Sequence, residues 1–100
     1  MNPRIMLAAV LAAFPLTSFS QDGSAARSLA ATCANCHGTE GRSATRDVAS
    51  LAGLPKEYIV AQMKAFKDGT RPATVMHQLA KGYTDPQIDQ LAGYFAAQKR

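Results

Sequence analysis

Five consecutive residues, Cys33-Ala34-Asn35-Cys36-His37, contain both cysteines of the chain and one of its two histidines. Three chemistries use such a group. A Cys-x-x-Cys thiol–disulfide centre sits at the end of a strand in a βαβ unit, whereas the residues here from Ser24 to Thr32 are Ala-rich and read as helix. A zinc site needs four ligands, usually supplied in pairs, and the only other histidine is His77. Cys-x-x-Cys-His is, third, the signature of c-type haem attachment. Two thiols three residues apart on one helical turn reach the two vinyl groups of a single porphyrin, and the following histidine then stands under the iron. The haem reading is adopted. Cys33 and Cys36 are the covalent anchors of one haem c, and His37 is an axial ligand.

A second axial ligand must come from elsewhere, and downstream of the motif the chain offers Met63, Met76 and His77. Met63 falls on an apolar stripe with Ile59 and Phe66, where methionine usually packs a core. Met76 lies in a loop-like stretch, Pro72-Ala73-Thr74-Val75-Met76, far enough beyond His37 for one helix and a return. His77 is adjacent, and the neighbour of a ligand generally points elsewhere, so it is expected at the surface or the haem rim. His/Met is the usual pairing in c-type cytochromes and selects Met76. The thioether is soft and neutral, favours ferrous iron and raises the reduction potential. With both axial positions filled, the chemistry expected is outer-sphere electron transfer.

These residues need a scaffold. The chain has 100 residues, 47% hydrophobic and 18% charged, which allows one small domain and excludes a two-domain enzyme. Eleven Lys+Arg against seven Asp+Glu give a net charge of +4, but the basic residues are scattered. A nucleic-acid binder would cluster them. Residues 1–20 read as a secretory signal peptide: Arg4, an apolar run from Ile5 to Leu16, then Thr17-Ser18-Phe19-Ser20. The apolar run falls well short of the roughly 20 residues needed to span a bilayer. Cleavage near Ser20 is expected, with export to a bacterial periplasm, leaving residues 21–100 as a monohaem domain. A domain this small needs a disulfide, a metal or a buried cofactor to hold it.

No strand-like run occurs, so the fold expected is all-α, with three main helices. The first runs from Ser24 to His37 and ends at Gly38. Residues 38–54 form a loop rich in Gly, Ser and Thr. Pro55 opens the second helix at its first position, and Asp68-Gly69 stops it. Thr84-Asp85-Pro86-Gln87 has the spacing of a capping box and opens the third, whose buried stripe is Ile88, Leu91 and Phe95 with Ala92 alongside. Gly93 inside that helix costs helix propensity, which a close crossing with the Ala25-Ala26 face would explain.

Taken together, the chain resembles a class I c-type cytochrome over the whole of residues 21–100. The likeness rests on Cys33-Ala34-Asn35-Cys36-His37-Gly38, a middle helix after Leu51-Ala52-Gly53-Leu54-Pro55, a methionine-bearing loop and a closing aromatic helix. Val75-Met76, Leu79-Ala80-Lys81-Gly82-Tyr83 and Leu91-Ala92-Gly93-Tyr94-Phe95 are similar to the cytochrome subunit of flavocytochrome c sulfide dehydrogenase. That resemblance implies a flavoprotein partner that oxidises sulfide, and a soluble redox protein to which the haem subunit passes electrons. The chain alone is then not expected to catalyse a reaction. Two alternatives stand beside it: a freely diffusing monohaem carrier, and a haem enzyme or sensor whose sixth ligand is displaceable. One departure matters. Class I cytochromes commonly have a Pro two residues before a Leu after the haem motif, and its carbonyl accepts the ring N–H of the proximal histidine. Here Ala49 stands in that place, ahead of Leu51. Lys56, Lys64, Lys67, Arg71 and Lys81 lie on segments expected around the distal face, with Arg71 the candidate for a haem propionate.

Overall fold

The computed structural model describes residues 23–100, together with residues 12, 13 and 15. The signal-peptide reading of residues 1–20 therefore lies, those three positions apart, outside the described residues. Five helices follow in order: α1 (Gly23–Ala31), α2 (Ala34–His37), α3 (Lys56–Asp68), α4 (Met76–Ala80) and α5 (Asp85–Ala96), with a 3-10 turn over Thr39–Gly41. No strand occurs among the described residues, as the composition implied.

The first helix is shorter than expected. It breaks at Thr32 and Cys33 instead of running on to His37. The Cys33 amide bonds the Ala30 carbonyl, three residues back, at 3.0 Å. The Thr32 hydroxyl meanwhile donates to the Leu29 carbonyl at 3.2 Å. A threonine hydroxyl that bonds its own helix backbone competes with the regular ladder, and here it tightens the last turn. Gly38 then closes α2 at φ 85° and ψ 167°. A Cβ at that position would lie 1.8 Å from the Arg42 carbonyl oxygen, so only glycine fits.

In α3 the stripe appears as read, with Ile59 and Met63 buried and Phe66 half-buried. Pro55 is the N-cap of that helix, one position ahead of the expected first turn. Gly69 ends it in the left-handed conformation, its amide bonded to the Phe66 carbonyl at 3.3 Å. Thr84 caps α5 through a complete capping box. Its hydroxyl accepts from the Gln87 amide at 3.3 Å, and the Gln87 side chain accepts from the Thr84 amide at 2.9 Å. Ile88, Leu91, Ala92 and Phe95 form the buried face of α5.

Helix α5 packs against both α1 and α3, and α4 packs against α3. The core lies between these helices and contains no buried polar or charged residue among those described. It is small. Its buried hydrophobics are Ile59, Met63, Ile88, Leu91 and Phe95 plus the alanines 30, 52, 80 and 92. Gly93 does not mark a tight crossing with α1, contrary to expectation. A Cβ there would meet only the Lys56 side-chain stem of α3, at 3.9 Å.

Candidate functional site

The break between α1 and α2 is what presents the cysteines. Cys33 heads a single helical turn, and the amides of Cys36 and His37 both bond its carbonyl, at 3.3 and 2.9 Å. Residues three apart on such a turn share a face. Both thiols are free. Cys33 is half-buried and packs against the core, while Cys36 is exposed. Burial pushes the Cys33 thiol above its ordinary pKa, and the Thr32 hydroxyl beside it pulls partly back. Apolar burial keeps that sulfur neutral, and the turn offers two reduced thiols to whatever lies over its face.

His37, half-buried at the end of α2, is oriented by a backbone group. Its Nδ1 lies 2.6 Å from the Ala49 carbonyl oxygen. A carbonyl only accepts, so Nδ1 carries the proton and donates, and the lone pair resides on Nε2. Ala49 thus supplies the hydrogen bond that the usual proline supplies. The surrounding loop is fixed on both sides. Leu51 and Ala52 donate their amides to the Gly41 carbonyl at 2.7 and 3.2 Å, and Gly53 donates to the Phe95 carbonyl of α5 at 2.9 Å. A histidine whose second nitrogen is engaged in this way is set to ligate a metal through the first.

Met76 is the first residue of α4, not part of a loop. It is half-buried and packs against the core cluster. Val75 before it and Leu79 one turn on are 55% and 53% exposed, apolar groups left uncovered at the same short helix. Met63 is buried in the core, as its place on the stripe implied. His77 is half-buried rather than fully exposed, and its Nδ1 is buried without a hydrogen-bond partner among the described residues. Tyr83, which from the sequence could donate to the cofactor or fill core, pairs instead with Thr32, a partner that the sequence did not suggest: the two lie 51 positions apart and their hydroxyl oxygens meet at 2.9 Å.

Among the described residues no group of three or more His, Cys, Asp or Glu side chains could hold a metal ion, so the half-site for zinc finds no partners. A porphyrin fits better. Two free thiols share one turn beside a histidine with an available Nε2. Leu29, Leu51, Leu54, Phe66, Met76 and Tyr83 are half-buried apolar side chains packed against the small core.

Of the basic residues expected around the distal face, Lys56, Lys67 and Arg71 are engaged. Lys56 pairs with Asp89 at 3.1 Å and Lys67 with Asp85 at 3.7 Å. Arg71 donates to the Gln62 side chain and lies 4.7 Å above the Phe66 ring. No helix among the described residues is long and apolar enough to cross a membrane.

No protein-family profile matches the chain. Individual proteins do. It is 32% identical over 81 residues to cytochrome c-554(548) of Halomonas halodenitrificans, covering 78% of this chain and 98% of that one. The chain belongs to the class I c-type cytochromes. Members of this family bind haem c and transfer electrons. The chain is also 45% identical over 67 residues to the cytochrome subunit of sulfide dehydrogenase of Chlorobaculum tepidum, covering 67% of this chain and 60% of that one. With cytochrome c4 of Pseudomonas aeruginosa the identity is 34% over 97 residues, or 94% of this chain and 48% of that one. The chain thus spans about half to three fifths of these two longer relatives.

Proposed function

We propose that this cytochrome is an exported, periplasmic monohaem electron carrier with His37 and Met76 as axial ligands, and that it accepts electrons from a sulfide-oxidising flavoprotein. The observation that carries the haem assignment is His37 itself, its Nδ1–H committed to Ala49 and its Nε2 free, directly after two unpaired thiols. Cys33 and Cys36 would hold the macrocycle through thioethers. Their place on one helical turn beside His37 would hold the group close to that ring. The Ala49 carbonyl keeps the His37 ring in register and raises its basicity. Met76, at the start of α4, would supply the second protein ligand and so would exclude water and small ligands from the iron. The bound haem supplies a one-electron ferric/ferrous couple. Oxidation of sulfide to zero-valent sulfur releases two electrons, which the partner flavin can store and hand on one at a time.

The likeness to the cytochrome subunit of sulfide dehydrogenase supports the flavoprotein partner. A second reading has its own support. Cytochrome c-554(548) is matched over 98% of its length, so a single domain of this size exists as a whole cytochrome. On that reading the protein diffuses freely between redox enzymes.

Native co-purification separates the two. The protein would be tagged at its carboxy terminus, isolated at low salt from its own host and scanned for haem and flavin absorbance. Flavin in the eluate, with haem reduced on adding sulfide, is the expected result. Haem alone at monomer size, unmoved by sulfide, overturns the flavoprotein partnership and leaves the diffusing carrier. The axial assignment is tested by Met76→Ala. The methionine–iron charge-transfer band of the ferric protein should vanish and the potential should fall by on the order of 100 mV, a fraction of the roughly 0.8 V that axial ligands command. An unchanged spectrum would remove Met76 from the iron and reopen the reading of a haem enzyme or sensor.

A further inference from the structure

The segment that carries Met76 packs on α3 through α4, with Ala80 buried in the core and Met76 against it, and it has hydrogen-bonded contacts to other elements at its two ends. At the first end the Arg71 amide bonds the Ala65 carbonyl of α3 at 3.1 Å, and its guanidinium stacks on Phe66. Between the ends the backbone bonds are local, with Gln78 and Leu79 donating to the Val75 carbonyl and Gly82 to the Leu79 carbonyl. At the second end stands Tyr83, held at three separate atoms. Its amide bonds the Ala80 carbonyl of α4 at 3.2 Å. Its carbonyl accepts from the Lys67 ammonium of α3. Its phenol oxygen lies 2.9 Å from the Thr32 hydroxyl. Thr84, the next residue, caps α5.

The direction of the last bond follows from its neighbours. Thr32 has one hydroxyl proton and donates it to the Leu29 carbonyl. Its oxygen then accepts, and the Tyr83 phenol donates. Thr32 directly precedes Cys33, so this bond joins the end of the methionine segment to the turn that presents the thiols. The Arg71 and Lys67 contacts reach only α3, and α3 carries none of the four proposed haem contacts.

We propose that Tyr83 is a positioning residue for the distal ligand: its phenol, donated to Thr32, ties the segment bearing Met76 to the haem-attachment turn and so favours the closed, methionine-ligated state. This role rests on the assignment of Met76 as the axial ligand. Two states are implied, one with the segment seated and one with it lifted. An external ligand that binds the iron only in the lifted state reads the balance between them, because its apparent affinity scales with the fraction lifted.

Imidazole is such a ligand. The haem-loaded ferric protein would be titrated with it in four forms: wild type, Tyr83→Phe, Thr32→Val and the double variant, with haem attachment verified in each by mass. Each single variant should bind imidazole about three- to tenfold more tightly, which is what one net hydrogen bond is worth. The double variant should bind no more tightly than Thr32→Val, which already removes the bond to Tyr83 together with its own bond to Leu29. Unchanged affinity overturns the role, and so do singles whose effects multiply in the double. A lowered guanidinium midpoint for helix unfolding with imidazole affinity unmoved would make the bond merely structural, and overturns it equally. Met76→Ala serves as the separate control. If the methionine–iron band survives in that variant, the axial assignment has failed, whatever the Tyr83 series shows.

Discussion

As the proposed proximal ligand, His37 would offer the iron a single nitrogen, because its other one lies 2.6 Å from the Ala49 carbonyl. That bond depends on a backbone carbonyl, so the side chain at position 49 is free to vary, and only its stiffness matters. The Ala49 amide donates no backbone hydrogen bond among the described residues, so a proline there forfeits none. Ala49→Pro should therefore keep the histidine bond and restrict the unfolded chain, stabilising the haem-loaded protein by about 0.4–1 kcal/mol. A guanidinium titration followed by helix signal checks this, with the reduction potential unchanged as the companion result. A lower midpoint with a shifted potential would mean that the loop cannot adopt the proline geometry and that His37 has moved. The motif residues were legible because five neighbours in one line state their own chemistry. The pairing of Thr32 with Tyr83 was not, because a bond across 51 positions leaves no local pattern.

At the scale of elements, the sequence was most readable where local chemistry decides the outcome. The Thr84–Gln87 capping box, the Ile59–Met63–Phe66 stripe and the Gly69 stop all depend on residues within one or two turns of each other, and all appear as read. The break after Ala31 and the five-residue helix at Met76 were missed, because both are short and neither carries a periodic signal. Gly93 shows the limit in the other direction. A glycine in mid-helix invites a packing explanation, yet its nearest non-local atoms are flexible Lys56 methylenes at 3.9 Å. With room for a methyl group, Gly93→Ala should stabilise α5 by about 0.5–1 kcal/mol through helix propensity alone. Thermal unfolding of the haem-loaded protein would show it as a raised midpoint. A drop instead would mean that bound haem needs the space above Gly93. The same substitution at Gly38 sets the contrast, because there the new carbon would lie 1.8 Å from a backbone oxygen.

For the molecule as a whole, the sizes of the core and of the site are connected. Helices α1, α3 and α5 meet around five large buried side chains and four alanines, and a ring of half-buried apolar groups is left beside them. A domain of this length rarely supplies enough apolar burial to fold firmly without a staple, and both cysteines are unpaired, so no disulfide provides one. On the proposed attachment, the haem would then belong to the core as much as to the chemistry. Replacing both proposed anchors, Cys33→Ser with Cys36→Ser, should therefore cost more than the cofactor. The variant, expressed beside haem-attachment machinery, should lose covalent haem and with it the sharp thermal transition, leaving a helical signal that melts gradually over a broad range. Calorimetry separates the outcomes cleanly. A broad or absent heat-absorption peak is the result expected if the packing of α4 and α5 on α3 is too small to hold without the porphyrin. A sharp peak near the wild-type temperature would show that Ile59, Met63, Ile88, Leu91 and Phe95 suffice to hold the helices. The site would then be a preformed cleft, and attachment would contribute redox chemistry without folding energy.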